Sequence, residues 1–357
     1  MSKFHPLTVS NVKHETRDAV CLSFEVPPEL KQLFSYRQGQ YLTLRAMIDG
    51  EEVRRSYSIC SAVQDDQLRV AVKRCGGGVF SNWANDSLRP GATLDVMPPS
   101  GNFNVPLDAA SSRHYLVFAA GSGITPILSI VKTTLQAEPE SRFTIVYGNR
   151  ASSTVLFRNE LLELKDQYMG RLRLVYVMSR EQQDIELFNG RITEEKCGHL
   201  LRHWIDIRDV DVAFICGPQD MMHGVSRALQ AAGLPKERIR IELFAAGAPT
   251  GRTPRAAQPQ ARHQTEVTVI MDGNAAHFTM DKDKESLLDA GLRAGLDMRY
   301  SCKGGVCSTC RCKVLGGEVE MDVNYALEDY EVARGFVLSC QSFPVTDKVV
   351  VDFDIQE

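Results

Sequence analysis

The sequence predicts three modules: an antiparallel β-barrel, then a doubly wound parallel α/β domain, then a smaller α+β domain. At 357 residues the chain is too long for one ordinary domain. Short segments of alternating polarity fill residues 1–108, whereas apolar strands alternate with helical patterns over 109–246. A stretch rich in proline and alanine, 247–264, has no acidic residue and is typical of a linker. Residues 265–357 then form the last module.

The barrel prediction rests on closely spaced strand patterns. Residues Val20–Val26 alternate apolar and polar side chains with period two. An Asp49-Gly50 pair separates two further strand patterns, which is a strong hairpin signal. The segments LRVAVKR and ATLDVM add short strands, and turn residues recur between them. This spacing predicts a small antiparallel barrel.

The α/β prediction rests on a change of rhythm near residue 113. HYLVFAAGSGITPILSIVKTTLQ contains an apolar strand, a glycine-rich turn and a helix pattern. FTIVYGNR, LRLVYVMSR and VAFICGP are further apolar strands that end in polar or glycine-containing turns, with helical segments between them. Such alternation is typical of a parallel, doubly wound sheet.

Composition excludes several classes of protein. The chain is 43% hydrophobic and 24% charged, its first residues lack a signal-peptide core, and no run of about 18 apolar residues occurs. We therefore expect a cytoplasmic protein with no membrane partner. Residues 264–357 hold 17 acidic and 9 basic residues, against 28 and 32 in the remainder. This asymmetry disfavours a nucleic-acid partner; it suits charge-steered docking, although solvated surface charge explains it equally well.

Four cysteines predict an iron–sulfur cluster. Cys302, Cys307 and Cys310 have C-x4-C-x2-C spacing and Cys340 follows after 29 residues, which is the plant-type arrangement for a [2Fe–2S] centre. A structural zinc site would typically show two CxxC pairs, and only one is present. Cys312 lies two residues after Cys310, so on a strand it becomes a buried core thiol.

Two segments of the barrel predict a flavin site. R-x-Y-S on a strand offers the Arg55 guanidinium to a phosphate, the Tyr57 ring to a planar heterocycle and the Ser58 hydroxyl to a ring nitrogen. GGGVFSNWA is a glycine-rich turn before a short helix, where free amides suit a pyrophosphate. The binding residues expected there are Gly77, Gly78, Val79 and Ser81.

Two strand ends of the α/β domain predict a dinucleotide site. The turn after the first strand offers Gly121, Gly123, Thr125 and Pro126 to a pyrophosphate, and Cys216 and Gly217 end a later strand. Cys216 is expected beside the nicotinamide.

Three polar residues at neighbouring strand ends predict the coenzyme. Arg150, Ser179 and Arg180 suit the 2′-phosphate of NADPH, whereas a free ribose hydroxyl would favour a carboxylate. NADH stays the alternative.

These motifs together resemble the ferredoxin–NADP reductase family fused to a C-terminal, β-grasp-like plant-type ferredoxin domain. RSYS, GGGVFS, GSGITP, CGP and ELF match the reductase motifs, and SREQ resembles the segment specific for NADPH. More narrowly, FICGP, SCKGGVC, CKVL, VLSCQ and VVVDFD resemble the reductase components of bacterial phenylacetyl-CoA epoxidase complexes. The resemblance implies FAD rather than FMN, with Phe244 covering the flavin. It also implies Tyr57, Ser58, Cys216 and Glu242 as catalytic residues.

The resemblance further implies an electron path and an acceptor. Hydride passes from NADPH to FAD, the [2Fe–2S] centre accepts single electrons, and a di-iron oxygenase of phenylacetate catabolism receives them. The alternatives are a reductase for another oxygenase or for a hybrid-cluster protein, and a redox-sensing interaction module. The acidic face expected to dock onto the partner contains Glu318, Glu320, Asp322, Glu328 and Asp329.

Overall fold

The computed structural model describes residues 4–244 and 264–355. All but the last residue of the predicted linker 247–264 lies outside these ranges. The strands are β1 (His5–Thr16), β2 (Ala19–Glu25), β3 (Tyr41–Ile48), β4 (Glu51–Ser58), β5 (Leu68–Lys73), β6 (Thr93–Val96), β7 (His114–Ala120), β8 (Arg142–Asn149), β9 (Leu172–Met178), β10 (Val212–Gly217), β11 (Ile239–Leu243), β12 (Gln264–Met271), β13 (Asn274–Asp281), β14 (Arg311–Gly316), β15 (Val319–Met321), β16 (Phe336–Leu338), β17 (Ser342–Pro344) and β18 (Lys348–Asp352). The α-helices are α1 (Val79–Asp86), α2 (Ile124–Ala137), α3 (Arg158–Gln167), α4 (Glu194–His203), α5 (Gln219–Ala231), α6 (Leu287–Arg293) and α7 (Asp329–Ala333).

The first six strands form the predicted barrel. Their order in the sheet is β4-β3-β6-β1-β2-β5, and an antiparallel bridge between Ile59 and Val70 joins its two edge strands. The inward side chains of alternate positions, such as Leu22, Leu44 and Val72, are fully buried in one apolar core. Asp49 and Gly50 both have positive φ in the β3–β4 turn, as a tight two-residue hairpin requires.

Five parallel strands form the α/β sheet. Their order is β11-β10-β7-β8-β9. The chain therefore adds β8 and β9 on one side of β7, and later adds β10 and β11 on the other side of β7. β7 and β10 are neighbours, with Cys216 opposite Ala119. The switch in direction therefore lies between β7 and β10. In sheets of this kind, ligands bind at the carboxyl ends of the strands at such a switch point.

Charged side chains join the barrel to the α/β domain within one compact unit. Lys132 on α2 lies 2.5 Å from Asp65 and 2.8 Å from Glu160, and Arg69 on β5 lies 2.9 Å from Glu160. All four side chains are at most about one-fifth exposed. Partial burial strengthens such pairs relative to surface pairs, so this group helps to fix the two domains against each other.

The C-terminal residues form a second compact unit. A five-stranded sheet has the order β13-β12-β18-β14-β16; β12 pairs in parallel with β18, and the other pairs are antiparallel. α6 lies against this sheet with Leu287 and Leu288 fully buried. The mixed sheet with a packed helix confirms the predicted β-grasp-like α+β module. Within residues 4–244 and 264–355, none of the helices is long and apolar enough to cross a membrane.

Candidate functional site

The four predicted cluster cysteines lie together as two pairs. Cys302 contacts Cys307, and Cys310 contacts Cys340. In the described part of the chain, no three His, Cys, Asp or Glu side chains converge on one metal ion. Two pairs of thiols suit a centre with two irons better than a single ion, because each iron takes two protein ligands.

The loop that carries these thiols is held in an unusual conformation. Lys303 and Ser308 have positive φ although neither is glycine, and Gly305 also has φ of +73°. A Cβ on Gly305 would lie 3.0 Å from the Val323 carbonyl oxygen, so this position favours glycine. Left-handed non-glycine residues are costly and occur at functional loops, where the surrounding structure maintains them.

Backbone amides of the loop favour thiolates. The Cys307 thiol and the Gly304 amide hydrogen-bond to the Cys302 sulfur and lower the pKa of Cys302 to about 6. The Cys310 thiol and the Gly305 amide lower the pKa of Cys340 in the same way. Iron binds thiolate rather than thiol, and the hydrogen bond within each pair favours the thiolate of one member, Cys302 or Cys340. The same bonds, together with burial, raise the pKa values of their partners Cys307 and Cys310. The donor set therefore fits a [2Fe–2S] cluster.

Cys312 lies apart from this arrangement. It is on β14, 1% exposed, and packs in the apolar core of the second unit. Burial raises the pKa of its thiol well above the ordinary value. Cys312 thus has the environment of the core thiol that its sequence position predicts.

Three of the predicted catalytic residues meet near the sheet edge. The Ser58 hydroxyl, at the end of β4, donates a hydrogen bond of 3.3 Å to the Glu242 carboxylate on β11. Cys216 on β10 is opposite Glu242 in the parallel pairing of β10 with β11. The barrel and the α/β sheet thereby contribute adjacent polar groups to one location.

Burial raises the pKa values of both Glu242 and Cys216. Desolvation raises the pKa of Glu242 to about 8, and the Ser58 hydrogen bond opposes that rise only in part. The side chain retains some contact with solvent although its carboxyl lies deep among protein atoms, as expected in a cleft. Burial and the nearby Glu242 charge also raise the pKa of the Cys216 thiol far above its ordinary value. Cys216 is therefore a neutral thiol at neutral pH and not a nucleophile.

The flavin residues occupy one strand and one helix start. Arg55 and Tyr57 alternate along β4, so they share a face, and the Tyr57 ring lies 5.6 Å from the Phe80 ring. Gly77 has φ of +72°, Gly78 is the N-cap of α1, and both Gly77 and Val79 are exposed. This open helix start fits a pyrophosphate.

The two predicted hydroxyl ligands have local partners. Ser81 is buried; its oxygen accepts from the Cys75 amide and donates to the Gly78 carbonyl. Thr125 donates to the Ser122 carbonyl at 2.7 Å and is 2% exposed, next to the buried Pro126. Both hydroxyls therefore help to hold the shape of their turns.

The dinucleotide turns meet at the switch point. Gly121–Gly123 follows β7 as a 3-10 turn, with φ of +54° at Gly121. A Cβ on Gly123 would lie 2.1 Å from the Cys216 carbonyl oxygen. Only glycine allows the turn after β7 to approach the end of β10 so closely.

Two residues near this turn were not predicted from the sequence. The Lys73 ammonium, at the end of β5, lies 3.9 Å from the place a Gly121 Cβ would occupy. The buried Tyr147 hydroxyl donates a 2.9 Å hydrogen bond to the Gly121 carbonyl. Lys73 lies three residues before Gly76 in LRVAVKRCGGG, which was the available signal; nothing local indicated the Tyr147 contact.

Replacing Tyr147 with phenylalanine should loosen this turn. The change removes one hydrogen bond, worth about 1 kcal/mol, so we expect about a fivefold higher KM for NADPH and NADH alike. Steady-state kinetics with both coenzymes measures the effect, and kcat should change less than KM. A change confined to one coenzyme would contradict a role in holding the shared pyrophosphate turn.

The predicted 2′-phosphate residues come together at the ends of β8 and β9. The Arg180 amide donates to the Arg150 carbonyl at 2.8 Å, which continues the pairing of these strands beyond their last residues. Both arginines are exposed, and Ser179 is partly buried directly before Arg180. Phe244 follows β11 and packs partly against the α/β core.

Comparison with known proteins agrees with this geometry. Models of an oxidoreductase FAD-binding domain, an oxidoreductase NAD-binding domain and a 2Fe-2S iron-sulfur cluster binding domain match residues 6–105, 117–227 and 269–345. A component of the 1,2-phenylacetyl-CoA epoxidase of Escherichia coli K12 is 49% identical over 99% of each chain. The chain belongs to the family of flavin and iron–sulfur reductase components of oxygenases. It is an oxidoreductase that uses FAD, a [2Fe–2S] cluster and NAD(P)H in electron transfer, as predicted.

Other relatives and structures support the same family and fold. The ferredoxin reductase component of 3-ketosteroid-9-alpha-monooxygenase from Rhodococcus rhodochrous is 36% identical, over 97% of this chain and 96% of its own. The solved phthalate dioxygenase reductase shares the fold with a TM-score of 0.59 and 22% identity, over 98% of each chain. The solved structure of a type IV self-sufficient cytochrome P450 monooxygenase has a TM-score of 0.71, and the match covers 41% of that chain.

Proposed function

We propose that this reductase takes electrons from NADPH and delivers them to the di-iron oxygenase of a phenylacetyl-CoA epoxidase in phenylacetate catabolism. The observation that carries the proposal is the 49% identity to the Escherichia coli epoxidase component over nearly the whole of both chains. Relatives that serve ketosteroid and glycine betaine monooxygenases are 36% and 29% identical, so the similarity favours the epoxidase acceptor.

The barrel would hold FAD through one strand and one helix. We assign Arg55 to the phosphates, Tyr57 to the isoalloxazine ring and the amides of Gly77, Gly78 and Val79 to the pyrophosphate. Phe244 would cover the other face of the ring. When bound, the flavin accepts two electrons as hydride and releases them singly, which a nicotinamide cannot readily do.

The α/β domain would hold NADPH across the switch point. Amides of the Gly121–Gly123 turn and the Lys73 ammonium offer positive charge to the pyrophosphate. Arg150, Ser179 and Arg180 would bind the 2′-phosphate. Gly217, beside the Gly121–Gly123 turn, lets the nicotinamide half approach Cys216, where the neutral thiol offers a small, polarizable surface.

The cluster would be bound by Cys302, Cys307, Cys310 and Cys340, in the pairs described above. One residue of the expected acidic face lies close to a cluster ligand: the Asp322 amide donates to the carbonyl of Gln341, which follows Cys340. The five acidic residues expected at the docking face are all exposed, namely Glu318, Glu320, Asp322, Glu328 and Asp329. This negative surface suits a basic patch on the oxygenase.

Reversing charge on the acidic face should slow delivery to the oxygenase. We expect the double variant Glu320→Lys and Asp322→Lys to lose about tenfold in rate at low salt, because complementary charges steer association. The deficit should shrink at high salt, where charges are screened. Stopped-flow oxidation of the reduced protein by the oxygenase measures this. Glu163→Lys combined with Asp166→Lys, two exposed charge reversals on α3, is the matched control; equal deficits in both proteins would exclude a specific docking face.

Reconstitution tests the acceptor. The purified reductase is combined with NADPH, O₂ and either the phenylacetyl-CoA epoxidase oxygenase components or a ketosteroid or glycine betaine oxygenase, and coupled product formation is compared. Epoxidation of phenylacetyl-CoA at the highest coupling is the expected result. Higher coupling with another oxygenase would overturn the acceptor assignment. Absence of NADPH turnover with any acceptor would favour the redox-sensing alternative.

A further inference from the structure

The loops that follow β8 and β9 carry the two arginines assigned to the 2′-phosphate. Backbone hydrogen bonds pair these loops, from the Ser179 amide to the Asn149 carbonyl at 2.9 Å and from the Arg180 amide to the Arg150 carbonyl at 2.8 Å. The pairing places Arg150 and Arg180 at neighbouring backbone positions. A carboxylate, Glu181, follows directly in the chain.

The Glu181 carboxylate turns toward the other loop. One oxygen accepts from the Ser152 amide at 2.8 Å, and the other accepts from the Ser152 hydroxyl at 2.5 Å. These bonds lower the pKa of Glu181, so the side chain is a carboxylate at neutral pH. Both of its oxygens are therefore directed at one residue of the loop that carries Arg150.

The direction of this carboxylate matters because of its charge. A carboxylate that faced the arginines would repel a 2′-phosphate and would compete with it for their guanidinium groups. The same carboxylate is also the group that accepts hydrogen bonds from a free ribose 2′-hydroxyl, as NADH sites require. Its side-chain conformation thus favours one coenzyme or the other.

We propose that the hydrogen-bonded pair Ser152–Glu181, here called the latch, sets the preference for NADPH by holding the Glu181 carboxylate away from the 2′-phosphate. Ser152 and Glu181 are positioning residues and make no contact with the coenzyme. The inference rests on the NADPH assignment proposed above, and it adds two residues that neither the spacing of motifs nor the arginines indicate.

The backbone around Glu181 is held by contacts other than the latch. Beyond the latch, the Asn189 side chain accepts from the Gln183 amide at 2.7 Å and donates to the Gln183 carbonyl at 3.0 Å. The segment 179–183 is therefore held by backbone bonds on both sides of Glu181. Loss of the Ser152 hydroxyl removes one of the two bonds to the carboxylate and leaves only the bond from the Ser152 amide, while Arg180 keeps its own backbone bond.

Binding of two probes to the complete holoprotein tests the latch. The dissociation constants of 2′,5′-ADP and of ADP are measured by calorimetry for the wild type, Ser152→Ala, Glu181→Ala and the double variant. The ratio of kcat/KM for NADPH to that for NADH is measured in parallel. Ser153→Ala, an exposed serine of the same loop, is the matched control, and Ser152→Thr retains a hydroxyl.

The latch predicts a pattern that simple loss of a structural contact does not. Ser152→Ala should weaken 2′,5′-ADP binding about fivefold relative to ADP, because the charge-assisted bond from the hydroxyl is lost and the remaining amide bond holds the carboxylate less firmly away from the arginines. Removing that carboxylate as well, in the double variant, should restore the ratio of the dissociation constants of 2′,5′-ADP and ADP to within about twofold of the wild-type ratio. Ser152→Thr and Ser153→Ala should leave it unchanged.

Two results would overturn the latch. One is a double variant as weak for 2′,5′-ADP as Ser152→Ala, which would mean that the pair only supports the fold. The other is an equal effect of Ser153→Ala. A wild type that binds both probes equally would instead overturn the NADPH assignment itself, and the change in 2′,5′-ADP affinity on Ser152→Ala would still decide for or against the latch.

Discussion

Replacing Cys310 with alanine should remove the [2Fe–2S] cluster and stop electron delivery, whereas the same change at Cys312 should leave both intact. The two thiols are two residues apart and are 2% and 1% exposed, so each alanine substitution removes an almost equally buried sulfur. Cys310 contacts Cys340 in one of the two sulfur pairs, while Cys312 packs among apolar side chains. Any difference between the variants therefore reports ligation rather than packing.

Three measurements separate these roles. Iron content and the EPR signal of the reduced cluster should be lost in Cys310→Ala and kept in Cys312→Ala. Cytochrome c reduction should fall about 100-fold or more in the first variant only. Reduction of ferricyanide, which takes electrons directly from the flavin, should continue in both. If Cys312→Ala also lost its iron, the proposed ligand set would be wrong.

The sequence predicted those parts of the site that a single segment encodes. The first three cluster cysteines, the Asp49-Gly50 hairpin and the turn after β7 each lie within about ten residues, so local pattern suffices for them. The sequence also predicted that the turns after β7 and β10 serve one site, because ligands bind doubly wound sheets at the switch point.

Other parts could not be predicted because they depend on residues distant in the chain. The Tyr147 hydroxyl reaches the Gly121 carbonyl 26 residues away, and the Ser152–Glu181 latch spans 29 residues. The sequence also did not indicate the local bonds of the Ser81 and Thr125 hydroxyls. A serine or threonine in a tight turn has backbone carbonyls within three residues, and both hydroxyls donate to such a carbonyl.

Replacing Glu242 with glutamine should remove a pH dependence of hydride transfer and of stability together. The raised pKa of about 8 means that Glu242 is protonated at pH 7 and ionised above pH 8. Our proposal brings the nicotinamide to Cys216, and Glu242 is opposite Cys216 in the pairing of β10 with β11. Because positive charge develops on the nicotinamide as hydride leaves, the Glu242 carboxylate should stabilise that charge. We expect flavin reduction to accelerate about tenfold as pH rises through 8, and to stay slow and nearly pH-independent in Glu242→Gln.

The free energy of unfolding should fall as pH rises, whereas the rate of flavin reduction increases, and it should fall over a lower range of pH. In the unfolded chain Glu242 ionises near its ordinary pKa of 4.5, whereas in the folded protein it stays protonated until about pH 8. The folded state therefore binds more protons between these values, and the free energy of unfolding falls as pH rises through them, by about 5 kcal/mol. Glu242→Gln should lack this fall, whereas Glu237→Gln, an exposed neighbour near the start of the same strand, should retain it.

The two pH dependences test one physical cause by independent routes. Stopped-flow reduction by NADPH follows the chemistry, and denaturant unfolding of the same holoprotein between pH 5 and 9 follows the folded state. Ser58→Ala sharpens the test: its hydroxyl donates to the carboxylate at 3.3 Å, so its loss should raise the pKa of Glu242 further and move both pH dependences upward. Rate and stability profiles that shift in opposite directions would show that different groups control them, and would remove Glu242 from the hydride-transfer step.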